Sequence, residues 1–115
     1  MIRKSNDMVK EVRQRMRDGC GSVEITHVFK KEELKGKVRL FAKLVLEQNC
    51  SIGFHLHENE EEVFYILSGR GMVEDNGTKY EVEAGDAILT GDGAGHSVSN
   101  TGKEPLEIMA VILLY

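Results

Sequence analysis

The 115-residue chain has no run of eighteen or more apolar residues, which excludes a membrane-spanning helix. Its first residues, Met-Ile-Arg-Lys-Ser-Asn-Asp, lack the apolar core and small-residue cleavage site of a secretory leader, so a cytoplasmic protein is expected. Cysteine is scarce. Cys20 and Cys50 stand thirty residues apart, form no C-x-x-C or zinc-knuckle spacing, and read as two reduced, partly buried thiols. There is no surplus of positive charge: 15 Lys and Arg face 19 Asp and Glu, a formal net charge of −4. Phosphate binding needs a clustered positive surface, so no nucleic-acid partner is expected. The basic stretch from Lys10 to Arg17 reads as a solvated helix face. Repeats and low-complexity tracts are absent, and the length suits one domain.

What the chain does have is a change of period. Residues 7–18 read as a short helix, with Asp7 at its start, Met8, Val9, Val12 and Met16 on one face, and Gly19 and Gly21 at its end. From residue 22 the period is two. In Val38–Glu47 one face carries Val38, Leu40, Ala42, Leu44 and Leu46, and the other Arg39, Phe41, Lys43, Val45 and Glu47. Strand-like runs follow at Glu62–Leu67, Gly71–Glu74, Thr78–Val82, Ala87–Leu89, Ser97–Ser99 and Leu106–Tyr115, separated by Gly-rich turns. Asn76-Gly77 is the clearest hairpin signal. Lys30–Leu34 suggests one helical turn. Residues 1–21 are thus expected to be a helical segment, and residues 22–115 a single all-β sandwich or barrel. Ile108–Leu114 contains no polar residue, so both its faces should be covered, the outer one by the N-terminal helix or a second subunit. A homodimer is the expectation. Phe41, Phe54, Phe64 and Tyr65 are expected in the core or a pocket wall.

Chemistry concentrates in one constellation. His55 and His57, at i and i+2, project from the same face of a strand. Glu62 begins the next strand-like run after the polar connection Glu58-Asn59-Glu60-Glu61. If the two segments pair, Glu62 faces both imidazoles. His96 follows the turn Gly91-Asp92-Gly93-Ala94-Gly95. Three imidazoles and one carboxylate suit one divalent first-row ion: Mn, Fe, Ni, Cu or Zn. A single carboxylate leaves such an ion with residual positive charge, which favours an anionic or chelating oxygen ligand. His27 has no partner spacing and reads as a surface or hydrogen-bonded strand histidine. Asn100 reads as a turn cap.

These residues resemble the cupins. The first cupin motif, G-x5-H-x-H-x3,4-E-x6-G, fits His55, His57, Glu62 and Gly69, with Asn49 in place of the leading glycine, a substitution that left-handed geometry tolerates. The second, G-x5-P-x-G-x2-H-x3-N, fits Gly85, Gly93, His96 and Asn100, with Gly91 in place of the proline. The resemblance implies a double-stranded β-helix, or jelly-roll barrel, with His55, His57, Glu62 and His96 as ligands of one metal. The six-residue step to Gly69 selects Glu62, while Glu60 and Glu61 stay within reach if the turn is built differently. The family resemblance implies a metalloenzyme acting on a small oxygenated molecule, of the dioxygenase, isomerase or decarboxylase kind. The alternative is a non-catalytic module that binds or senses a small molecule, since no Ser–His or Cys–His pair stands out. A structural barrel with an unused site is the third reading.

Overall fold

A computed structural model describes all residues, 1–115, as two antiparallel sheets packed face to face. Ten strands run in chain order: β1 Val9–Gln14, β2 Ser22–His27, β3 Val38–Leu46, β4 Ser51–Leu56, β5 Glu60–Ser68, β6 Arg70–Asp75, β7 Thr78–Glu83, β8 Ala87–Gly91, β9 Gly95–Asn100 and β10 Leu106–Leu114. One sheet has the order β1-β2-β3-β10-β5-β8 and the other β4-β9-β6-β7. This is the jelly-roll expected from the sequence. No helix is long and apolar enough to cross a membrane.

The alternation in β3 does what its period dictates: Ala42, Leu44 and Leu46 are buried between the sheets. They meet Ile108, Ala110 and Leu106 across the ladder with β10, and the facing sheet adds Ile52, Val73 and Val98. Asn76 and Gly77 both take positive φ, +49° and +88°, as the tight turn of the β6–β7 hairpin requires. Asn49 takes φ +66°, the left-handed geometry expected where the motif has glycine. Residues Lys31–Glu33 form the single helical turn, here of the 3-10 type.

The N-terminal helix is a correction. Residues 9–14 form strand β1, flanked by single 3-10 turns at Ser5–Asp7 and Met16–Asp18. The apolar spacing of Met8, Val9, Val12 and Met16 misled, because Val9 and Val12 are 43% and 59% exposed rather than packed as a helix face. An isolated helix of this length is marginal in water. The open edge of β2 offers instead a ladder from Val9↔His27 to Gln14↔Ser22. Strand β10 is therefore not capped by a helix. Its inward residues are buried, while Met109, Val111 and Leu113 on the other face are half-buried. Phe54 and Tyr65 also depart from expectation, at 52% and 47% exposed, whereas Phe64 is in the core.

Candidate metal centre

His55 reaches the interior through an irregularity in β4. Ile52 pairs with Val98 and His55 with His96, so three residue steps on β4 oppose two on β9. The extra residue lies at Gly53–Phe54. Side chains three apart on a regular strand face opposite ways, and the bulge brings Ile52 and His55 to the same, inward face. Phe54 and Leu56 turn outward in consequence. Glycine is required at 53 because a β-carbon there would fall 1.8 Å from the Arg17 carbonyl oxygen, where the β1–β2 loop crosses. The Gly53 carbonyl in turn accepts from His55 Nδ1 at 2.8 Å.

His57 sits just beyond the end of β4, in the connection to β5. The Gly91–Gly95 turn clamps its backbone: His57 N–H donates to the Ala94 carbonyl at 3.0 Å, and Gly93 N–H donates to the His57 carbonyl at 2.9 Å. His96 stands on β9 beneath Phe64, with the rings stacked 13° from parallel and centroids 4.7 Å apart. Glu62 comes from β5, in the opposite sheet. The pairing of the histidine and glutamate segments considered from sequence does not occur, since β5 pairs with β10 and β8. Glu62 faces the histidines across the sandwich.

The four side chains converge. Glu62 Oε1 lies 2.9 Å from His57 Nε2, 3.0 Å from His96 Nε2 and 3.9 Å from His55 Nε2. His96 Nε2 lies 3.0 Å from His57 Nε2 and 3.1 Å from His55 Nε2. His57, Glu62 and His96 are buried, and His55 nearly so. Burial opposes ionisation of Glu62, yet its bonds to His55, His57 and His96 outweigh that and hold its carboxyl far below the ordinary range. For His57, burial disfavours the charged ring, but the bonds to Glu62 and Glu60 win and raise its pKa.

The donor set fits a metal ion. His57 Nδ1 is tied to Glu60 and His55 Nδ1 to the Gly53 carbonyl, so the Nε2 atoms of both are left with lone pairs aimed at one point. As neutral rings, His55 and His57 then offer only acceptor nitrogens to each other and to the Glu62 carboxylate, and His96, whose Nδ1 has no partner, is the one ring left to donate. Together with the Glu62 carboxylate, the three rings could hold a cation.

Of the neighbouring carboxylates weighed from sequence, Glu60 points at the back of His57 and forms a bidentate pair with Arg39, at 2.9 and 2.8 Å. Glu61 lies one position earlier than Glu62 on β5, so it takes the opposite face. His27 is a hydrogen-bonded strand histidine, its Nε2 2.7 Å from Glu11 Oε2. Asn100 is a buried cap: its amide donates to the carbonyls of Leu46 and Glu104, and its Oδ1 accepts from Gly102 N–H. Cys20 and Cys50 are free thiols; Cys50 is half-buried as expected, whereas Cys20 is exposed. Two features escaped the sequence reading. One is the Arg39–Glu60–His57 chain. The other is a cavity of about 400 Å³ that runs from His55, His57 and Glu62 to β1, with Val9, Glu11, Arg13, His27, Phe29 and Leu40 in its wall. The helix assigned to residues 7–18 concealed that wall.

Fold and site together define a cupin. The cupin domain family matches residues 43–112, and the chain belongs to that family. It is 43% identical over 114 residues to the oxalate-binding protein of Thermotoga maritima, covering 99% of this chain and 94% of that one. The crystal structure of a predicted oxalate decarboxylase from Thermotoga maritima superposes with a TM-score of 0.95 at 43% identity, over the whole of both chains. An uncharacterised protein of Methanocaldococcus jannaschii is 33% identical over 75 residues, 65% of this chain and 60% of its own. A polyketide cyclase of Streptomyces resistomycificus shares the fold at 18% identity, with a TM-score of 0.78 over 99% of this chain and 80% of that one.

Proposed function

We propose that His55, His57, Glu62 and His96 hold one divalent transition-metal ion, and that the protein binds a small chelating carboxylate there, oxalate or a ligand of that kind. The convergence of three Nε2 atoms and one carboxylate oxygen carries the reading. Two donors each about 2.1 Å from an ion stand about 3.0 Å apart at a right angle, and about 3.4 Å apart in a tetrahedron. Separations of 2.9, 3.0, 3.0 and 3.1 Å, with one of 3.9 Å, favour the right-angled arrangement. Such a centre keeps open positions, where the ion supplies Lewis acidity toward oxygen donors.

Charge supports an anionic ligand. Arg13, Arg17, Lys30, Lys31 and Arg39 line the cavity against Glu11, Glu32 and Glu62, and with Glu60 paired to Arg39 the balance is five positive groups to four negative. That sign is opposite to the −4 of the whole chain. A concave site of one sign concentrates counter-ions. The name of the Thermotoga maritima relative agrees with a carboxylate ligand. Binding is favoured over turnover because Glu11 is engaged by His27 and Arg13, and Glu60 by His57 and Arg39. Neither carboxylate is free to act as a base. A decarboxylase, dioxygenase or isomerase activity is the second reading, favoured by one observation: the hydrogen-bonded His27–Glu11 pair shares the cavity with the centre.

Elemental analysis followed by calorimetry decides. One ion per chain and oxalate binding that chelator treatment abolishes are expected. Equal binding by metal-free protein overturns the proposal, and release of CO2 or uptake of O2 by the loaded protein favours the second reading. A homodimer belongs to this reading too, supported by the half-buried outer face of β10 and by exposed Val12 on edge strand β1. Sedimentation as a monomer at micromolar concentration sinks it. A cytoplasmic location is supported by the two free thiols.

A further inference from the structure

The cavity is several times larger than a two-carbon dicarboxylate requires. It measures about 400 Å³. Oxalate takes the space of about three waters, roughly 90 Å³ at about 30 Å³ each. The remaining space has a definite character. The register Glu62↔Ile112↔Leu40 places an aliphatic row across the sheet from the ligand carboxylate. Beyond Leu40 the wall passes to Phe29 and Phe41, whose rings meet edge to face at 77° with centroids 6.5 Å apart. Strand β1 extends the sheet past the barrel and contributes Val9 to the same wall. Arg3 lies over Phe29, 5.2 Å from the ring centre, and its pair with Glu33 pins it there. Water held against such a wall is displaced favourably by an apolar group. A volume of this size lies in the range of pockets that enclose ligands well beyond oxalate.

We propose that the ligand is an α-oxo or α-hydroxy carboxylate bearing a ring-sized apolar substituent. Its oxygen pair lies at the metal centre and its apolar body against Leu40, Phe29 and Phe41. This rests on the chelation reading above and narrows it. The head supplies the two oxygen donors that oxalate also offers. The body fills the space that oxalate leaves.

Protein loaded with Mn2+ is titrated calorimetrically with oxalate, pyruvate and phenylpyruvate. Phenylpyruvate is expected to bind at least about tenfold more tightly than pyruvate, since it buries one further ring. A Phe29→Ala, Phe41→Ala double variant, shown to be folded and metal-loaded, is expected to reduce that ratio to about threefold or less. Val9→Trp narrows the cavity from an exposed strand that tolerates size, and is expected to reduce the ratio even if the double variant fails to fold. Equal affinity for pyruvate and phenylpyruvate, with oxalate still bound, overturns this inference and leaves the chelation reading standing. Failure of both oxalate and pyruvate to bind overturns the chelation reading, and this inference with it.

Discussion

The outer nitrogens of the three histidines meet three different environments: a carboxylate behind His57, a backbone carbonyl behind His55, and no partner behind His96. A carboxylate fixes the ring tautomer and raises its basicity, so Glu60 positions His57 without touching the centre. Glu60→Ala is expected to weaken Mn2+ binding about 10- to 100-fold, read by competition with a chromophoric chelator, with Glu60→Gln intermediate because its amide oxygen still accepts from Nδ1. A larger loss in Glu62→Ala separates ligand from support. A second prediction concerns Glu33. The bonds from Arg3 and from Lys30 N–H hold its carboxyl at about 2, below the ordinary 4.5. The folded pKa is depressed, so the contribution to stability is present above about 4.5 and is lost as pH falls toward about 2. Carboxyl-detected NMR should show that low midpoint, and Arg3→Ala should return it toward the ordinary range. His55, His57, Glu62 and His96 were legible from residue type and motif spacing. Glu60 was visible only as one acid in a run, because nothing in the order of residues reveals which carboxylate turns behind a ring.

Strand β4 is the element on which the site turns. Its bulge re-aims His55, and the β1–β2 loop is seated against Gly53 by contacts too close for a β-carbon. Gly53→Ala is expected to cost about 2–3 kcal/mol in urea unfolding of the metal-free protein, because the backbone must shift to relieve the overlap. The end of β9 is held by Asn100, whose buried amide joins β3 to the turn before β10. Asn100→Ala should cost a similar amount, about 2–3 kcal/mol, by leaving those carbonyls unpaired in the interior. The period of two identified β3, strand-like and apolar runs identified β5 and β10, and the Asn76-Gly77 turn identified the β6–β7 hairpin. The same reading failed at residues 9–14. A helix and a strand both accept Val9, Val12 and Met16 when the apolar residues are few, and the choice was made by the ladder that the next strand, β2, offers.

Across the whole molecule, the centre joins the two sheets. His55 and His96 stand on the four-stranded sheet, and Glu62 on the six-stranded one. An ion bound there would bind the folded chain only, because the unfolded chain scatters its ligands over residues 55–96. Free metal at about 100 times its dissociation constant should add about 2.7 kcal/mol, raising the melting temperature by roughly 10 °C for a domain of this size. Scanning calorimetry with and without chelator checks this. An unchanged melting temperature at saturating metal would contradict an inter-sheet site.

By itself the sequence determined the alternation of the strands, the turns that end them and the four residues able to ligate a metal, because these depend on residue type and short spacing. Only the tertiary structure decided that Glu62 reaches the histidines across the sandwich and that a bulge turns His55 inward. It also decided that Glu60 supports His57 and that the N-terminal segment is a strand walling a large cavity. The first two depend on contacts between residues far apart in the chain, whose geometry is set by how the sheets pack; the last two depend on how a turn folds back, between His57 and Glu60 three residues apart and between β1 and the next strand.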